Sequence, residues 1–240
     1  MRKLVIIPTF NESENIAAII KKVLSLDGDF DILVVDDGSP DGTADIVKNL
    51  IEQTKGRIFI LERSGKLGLG TAYITGFRWA LENKYDYIFE MDADFSHNPE
   101  DLINLYNEAH QNNKDLVIGS RYITGVNVVN WPMQRLLLSF FASKYVRIVT
   151  GMRVKDATAG FICYSARFLS EIDLSKIKMK GYGFQIEMKY TAWRLKYNMS
   201  EVSIIFTERR EGQSKMSGNI LKEALWGVMG LRFRKIKKLQ

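Results

Sequence analysis

The chain has 240 residues, 46% hydrophobic and 26% charged with only 4 prolines, which suits one sizeable domain with a core and excludes wholesale disorder. Its 34 Lys and Arg exceed 28 Asp and Glu, and the resulting +6 favours an anionic partner, be it nucleic acid, anionic lipid or a phosphorylated substrate. The one cysteine, Cys163, excludes an internal disulfide and suggests a reducing, intracellular location. No apolar stretch reaches the roughly 18 residues of a membrane span, and the N-terminus has no signal-type apolar region, so a soluble or peripheral protein is expected.

Leu4-Val5-Ile6-Ile7 predicts a buried strand. Asn11 and Glu14 then have the spacing of a capping box, opening a helix that carries Ile16, Ile19, Ile20, Val23 and Leu24 at helical intervals. Asp31 to Val35 reads as a second strand and runs into Asp36-Asp37-Gly38-Ser39-Pro40-Asp41-Gly42, where the glycines permit tight turns. A helix over Thr43 to Lys55 and a strand over Ile58 to Leu61 follow. Gly65, Gly68 and Gly70 around Lys66 have the look of a phosphate-cradling loop, although their spacing matches neither the Walker motif nor the dinucleotide fingerprint. The pattern continues with a helix over Thr71 to Asn83, a strand over Tyr87 to Met91, a helix over Pro99 to Asn112 and a strand over Leu116 to Ser120. Beyond Arg121 it changes. Trp131 to Thr150 is apolar with Arg135, Lys144 and Arg147 interspersed, and a strand-like patch follows at Gly160 to Tyr164. A helix near Phe184 to Lys196, a strand at Ser203 to Phe206 and a basic amphipathic helix close the chain.

Strand–helix alternation with short loops predicts an α/β fold with a mostly parallel central sheet and helices on both faces. Ligands of such sheets sit beyond the carboxyl ends of the strands. There lie Pro8 to Glu12, Asp36 to Ser39, Asp92-Ala93-Asp94 and Arg121. Two carboxylates one residue apart in a strand-end turn can converge on Mg²⁺ or Mn²⁺, which take oxygen ligands and complete their shell with phosphate and water. A solvated acidic loop with a capping Asp is the other reading of Asp92 and Asp94. Likewise, Asp36 and Asp37 suit either hydrogen bonds to a base or ribose, or plain turn chemistry. His97 has no second histidine near it and reads as structural.

Taken together, Ile6 to Glu12, Val34 to Thr43, Gly68-Leu69-Gly70, Met91 to His97 and Gly119 to Tyr122 resemble the family 2 glycosyltransferases of GT-A (nucleotide-diphospho-sugar transferase) fold. Gly181-Tyr182-Gly183-Phe184-Gln185-Ile186-Glu187 and Arg209-Arg210-Glu211-Gly212-Gln213-Ser214-Lys215 resemble the polyprenyl (dolichyl) phosphate mannosyltransferase subfamily. The resemblance runs from about Lys3 to Gly218. It implies an inverting, metal-dependent transfer of mannose from GDP-mannose to polyprenyl monophosphate. Pro8, Phe10, Glu12 and Asp37 would line the nucleoside pocket. Asp92 and Asp94, with Ala93 between them, would hold donor and metal (Mg²⁺ or Mn²⁺), and Ser96 stands at a metal-ligand position where some relatives carry Gln. Arg209 and Lys215 would grip the diphosphate, and Arg121, Arg135 and Ser139 would receive the acceptor phosphate. The implied catalytic set is Asp94, Arg121 and Arg209.

The chain divides into the catalytic domain of that resemblance, 1–218, and a C-terminal basic amphipathic helix, 219–240, that suits either a membrane surface or packing on the sheet with a solvated tail. Arg232, Arg234, Lys235, Lys237 and Lys238 fall in the last nine residues without an acid, and Ile220, Leu221, Ala224, Leu225, Val228, Met229, Phe233 and Ile236 recur at helical spacing. Because the basic cluster adjoins an apolar stripe, lipid is favoured over nucleic acid. The expected location is peripheral, at the cytoplasmic face of a membrane, bound directly or through a partner subunit. The rival readings are a UDP-glucose-dependent polyprenyl-phosphate glucosyltransferase and a non-catalytic scaffold that binds nucleotide sugars.

Overall fold

Leu4 and Ile6 of the first strand point to one face and Val5 and Ile7 to the other, and all four are fully buried, so the strand needs cover on both sides. Leu33 and Val35 against Ile32 and Val34 repeat the arrangement in the second strand. The computed structural model describes residues 1–54, 56–179, 181–208 and 218–239, with Tyr182 and 218–224 described by backbone alone. Its strands are β1 (Lys3–Thr9), β2 (Phe30–Asp36), β3 (Ile58–Glu62), β4 (Tyr87–Glu90), β5 (Leu116–Ser120), β6 (Val128–Val129), β7 (Ile162–Ser165), β8 (Met199–Ser203) and β9 (Phe206–Thr207). Its helices are α1 (Ile16–Leu24), α2 (Thr43–Gln53), α3 (Leu69–Glu82), α4 (Asp101–Gln111), α5 (Met133–Thr150), α6 (Ala166–Glu171), α7 (Tyr182–Arg194) and α8 (Gly218–Phe233).

The main sheet runs β3-β2-β1-β4-β7-β5-β8, and only β7 is antiparallel to its neighbours. One core lies under α1, α2 and α4, and the other under α3, α6 and α7, with Val146 of α5 and Val228 and Leu231 of α8 joining the second. The carboxyl ends of β1, β2, β4 and β5 therefore open on one edge, which is where the sequence motifs sit.

Two expectations are corrected here. The capping box at Asn11 and Glu14 does not form: α1 starts at Ile16, and Asn15 caps it without a side-chain bond. Asn11 is instead left-handed (φ 58°) and donates its backbone N–H to Ser39 Oγ at 3.0 Å, so the loop is tied sideways to the next strand end rather than to its own helix. The strand expected over Ser203 to Phe206 is two shorter ones: β8 pairs with β5, and β9 pairs with β6. β8 is an edge strand of mixed polarity, so it lacks the alternation that marks a strand with one buried face.

The helix α8 packs against α5 and α7 and ends at Phe233. Beyond it the chain turns back onto the domain. Arg234 donates to the buried Glu187, Lys238 pairs with Glu171, and Lys238 bridges Ile172. Those two basic side chains, expected against a membrane or in a solvated tail, are bound to carboxylates of this chain.

Candidate active site

At the carboxyl ends of β1 and β2 a hydrogen-bond network joins the loops. Asp36, 1% exposed, accepts from Thr9 Oγ1 (2.7 Å), Ser39 Oγ (2.6 Å) and Ser39 N (2.8 Å), so it braces the turn. Asp37 is buried too and accepts from Arg63 Nε at 2.6 Å. Arg63 also donates to Thr71 Oγ1 at 2.8 Å, linking Asp37 to the start of α3. Sequence reasoning missed Arg63, though it follows β3 directly and the strand-end rule that found the others applies to it as well. Pro8 lies in β1, Phe10 follows it, and Lys66 Nζ sits 4.9 Å from the Phe10 ring centre. Glu12 donates its backbone N–H to Thr43 Oγ1 at 3.0 Å, and its carboxylate accepts from Asn15 at 3.2 Å. The four residues expected around a nucleoside are thus gathered at two adjacent strand ends.

Asp92, Ala93 and Asp94 follow β4. Asp94 is 8% exposed and its Oδ1 accepts from Ser96 N at 3.0 Å, while the Asp92 side chain is 41% exposed. Phe95 is left-handed (φ 57°), which gives the tight turn that folds Ser96 back toward Asp94. His97 is buried, stacked on Phe161 with centroids 4.8 Å apart, and its Nδ1 lies 3.4 Å from the Asp92 amide nitrogen, which donates to it. Burial pushes its pKa down to about 4 against the pull of Asp94, so the imidazole is neutral at pH 7 and acts as packing and acceptor. Below the pair, fully buried Glu90 accepts from Gln185 Nε2 (2.6 Å) and Tyr164 OH (3.3 Å). Burial lifts the Glu90 carboxyl to about 8, with the Gln185 bond and the Lys189 charge opposing. Gln185 belongs to the Gly181 to Glu187 motif, so α7 reaches under the acidic turn.

Among the described residues no group of three His, Cys, Asp or Glu side chains is arranged to hold a metal. The oxygen chemistry of Asp92 and Asp94 nevertheless fits Mg²⁺ or Mn²⁺, which commonly use one or two carboxylates and leave the other positions to phosphates and water. Ser96, 3% exposed, adds a hydroxyl beside them.

Beyond β5, Arg121 donates to Asp156 through its backbone N (3.0 Å), Nε (2.7 Å) and Nη2 (2.6 Å), and through Nη2 to Thr158 Oγ1 (2.9 Å). Asp156 is fully buried; burial raises its pKa, but the Arg121 charge and bonds outweigh that and hold it below the usual range. Ser139 accepts from Tyr122 OH at 2.9 Å and lies 3.4 Å from Thr158 Oγ1. Arg135 pairs with Glu208 and rests 4.3 Å from the Trp131 ring, which Arg121 also approaches at 5.2 Å. Thus Arg121, Arg135 and Ser139 are brought together, each with a partner that the motifs did not name: Asp156, Thr158, Glu208 and Trp131. Arg209 and Lys215 lie outside the described residues.

Residues 4–175 match the family described as Glycosyl transferase family 2. The chain belongs to glycosyl transferase family 2. Within that family, it is 45% identical over 234 residues to polyprenol monophosphomannose synthase of Mycolicibacterium smegmatis, across 95% of this chain and 88% of that protein. It is also 45% identical over 243 residues to undecaprenyl-phosphate mannosyltransferase of Micrococcus luteus, across 98% and 99% of the two chains. The fold is similar to the crystal structure of glucosyl-3-phosphoglycerate synthase from Mycobacterium tuberculosis with Mn²⁺, UDP and glucosyl-3-phosphoglycerate. That likeness has a TM-score of 0.69 and 17% identity, covering 97% of this chain and 80% of the other. The same synthase with Mg²⁺ and UDP gives a TM-score of 0.67 at 19% identity, with the same coverage. The family 2 chain therefore has the GT-A fold expected from its motifs.

Proposed function

We propose that this glycosyltransferase moves mannose from GDP-mannose to a polyprenyl monophosphate with inversion, giving a β-linked lipid phosphate sugar. The observation that carries the proposal is the 45% identity, along nearly the whole chain, to two proteins whose names both specify mannosyl transfer to a polyprenyl phosphate or its product. The site is chemically consistent with it. Pro8, Phe10, Glu12 and Asp37 receive the nucleoside at the ends of β1 and β2. Arg121, Arg135 and Ser139 lie together beyond β5, where an anionic acceptor is held. A phosphate monoester has a second pKa of about 6, so its oxygen is already ionised near neutral pH and needs no general base. Nucleophilic attack by that oxygen on the anomeric carbon, as the bond to the diphosphate breaks, leaves the protein with alignment and charge stabilisation to supply.

Asp92 and Asp94, with Ser96 beside them, are the residues that would hold Mg²⁺ or Mn²⁺, and the cation would neutralise charge on the departing diphosphate. Arg209 and Lys215 are assigned to that diphosphate by their place in the family motif.

The protein docks on a membrane surface through α5 and α8. Leu137, Phe140, Phe141 and Ile148 of α5 and Trp226, Met229 and Phe233 of α8 are exposed, with Lys144 and Arg147 exposed beside them. Among the described residues no helix is long and apolar enough to cross a membrane. An apolar strip edged by cations suits an interfacial helix pair. Replacing Phe141 and Trp226 by Ser should strip the protein from anionic liposomes in sedimentation, and unchanged binding would count against this face.

The donor is tested with labelled GDP-mannose, UDP-glucose and UDP-N-acetylglucosamine, each offered with polyprenyl phosphate and Mg²⁺ or Mn²⁺. Transfer from UDP-glucose but not GDP-mannose would replace this reading with the glucosyl one. Retention of configuration, read by NMR of the product, would refute the direct displacement.

A further inference from the structure

The acidic turn and Arg121 do not follow neighbouring strands. β7 lies between β4 and β5, and Glu90, Ile162 and Ile118 stand in one row across the three. Strands are spaced about 4.8 Å apart, so the ends of β4 and β5 are separated by roughly 10 Å. Because β7 is antiparallel, the chain that fills this gap is the segment entering it, from Asp156 to Phe161. That segment seats Arg121 through Asp156 and Thr158, and Phe161 O accepts from Gly119 N at 2.8 Å.

The helix α7 holds both sides of the gap from beneath. Gln185 and Lys189 are four positions apart and so share one face of it. Gln185 Nε2 donates at 2.6 Å to Glu90, which ends β4 two residues before Asp92. Lys189 Nζ donates to Ala159 O at 2.6 Å and to Gln185 O at 3.2 Å. Both side chains are buried, Lys189 completely. Burial of an ammonium is costly and pulls this one down to about 8, while Asp156 and then Glu90 draw it the other way. Lys189 is thus in electrostatic reach of the carboxylate that seats Arg121 and of the carboxyl beneath the acidic turn.

We infer that Lys189, together with Gln185, is a positioning residue for the transfer: the pair fixes the gap between the acidic turn and the seat of Arg121. It thereby sets the distance from the acceptor oxygen to the anomeric carbon. The inference rests on the proposed assignment of the donor to the acidic turn and of the acceptor phosphate to Arg121. Each substrate is gripped on its own side of the gap, so without the brace both still bind but no longer align. A misplacement of about 1 Å can cost roughly a hundredfold in rate.

The test uses the full chain with labelled GDP-mannose and a short-chain polyprenyl phosphate, for the parent, Lys189→Met, Lys189→Arg and Gln185→Met. Met nearly keeps the volume of either side chain and removes its donors. Rates are taken per donor-binding site, counted by GDP titration, so that a loss of folded protein does not register. Lys189→Met and Gln185→Met should each lower kcat roughly tenfold or more, with both KM values within about twofold of the parent's, as for an interaction that counts only in the transition state. Lys189→Arg, which keeps a cation and its donors, should recover part of that loss. A fall in kcat below about twofold in Lys189→Met, or a change confined to KM, overturns the inference. Should that variant fail to fold, Gln185→Met decides on the same readings. A parent that transfers no mannose to the lipid phosphate fails the proposed function itself, whereas an active parent with an unaffected Lys189→Met fails only the brace.

Discussion

The proposed donor end and the proposed acceptor end of this site are built by different means. At the proposed donor end the described residues lie within a few positions of a strand terminus and are braced from their own loop or from a neighbouring strand end: Asp36 by Thr9 and Ser39, Asp37 by Arg63, Asp94 by Ser96. At the proposed acceptor end the partners come from outside the parallel strands of the main sheet: Arg121 with Asp156, Tyr122 with Ser139 of α5, Arg135 with Glu208. Short loops on a parallel sheet assemble a metal and nucleotide site almost automatically. A buried arginine such as Arg121 needs a counter-charge, here supplied by Asp156, because an unpaired buried cation is costly.

The largest effect expected from breaking this contrast is at the donor end. Asp94→Ala should cut turnover about a hundredfold or more, the scale of losing a group that stabilises the leaving charge, with little change in melting temperature. Near-parental activity would remove the acidic turn from the chemistry. The acceptor end should fail in the opposite manner. Asp156→Ala leaves Arg121 buried without its counter-ion and should destabilise the fold by about 3–5 kcal/mol in chemical denaturation. A loss below about 1 kcal/mol would mean that Arg121 relaxes to solvent and that the pair is not a fixed scaffold.

Arg63→Gln probes the intermediate case, a nearly buried pair at the donor end. It should raise donor KM about tenfold, the equivalent of about 1.4 kcal/mol, while leaving acceptor KM alone. An equal rise in both constants would show general loosening instead. The smallest effect is at Asp41. Burial raises the pKa of its carboxyl, but bonds from Thr43 and Ser13 outweigh this and hold it at about 2 against the ordinary 3.8. A depressed acid adds stability above about pH 4, and that stability disappears as pH falls through about 2. Asp41→Asn should therefore lower the denaturation midpoint slightly at pH 5 and match the parent near pH 2. A difference that does not change with pH would assign the effect to packing.

Several of these residues are legible in the amino-acid sequence alone. Asp92, Asp94, Asp37 and Arg121 follow apolar runs, and a strand-end rule is enough to single them out. Arg63 obeys the same rule, but the pattern just after it marks the glycines around Lys66 and gives Arg63 no signal of its own. Asp156, Thr158 and Glu208 carry no local signal, since a buried carboxylate looks like any other acid in sequence. Asn11 and Glu14 carry a false one: the capping spacing is present, but Ser39 offers the Asn11 backbone a better partner from across the loop. Two of the five basic residues in the C-terminal cluster carry no local signal of their partners either: Arg234 and Lys238 find Glu187 and Glu171.

The sequence by itself determined the parallel sheet, its two buried faces and the family, because hydrophobic periodicity and strand-end motifs are local properties that survive without the fold. Only the tertiary structure decided which charges are paired and which helical faces remain exposed. Those depend on burial and on partners that can be distant in the chain, 26 residues for Arg63 with Asp37 and 73 for Arg135 with Glu208, and electrostatic energy is set by distance and solvent access rather than by order along the chain.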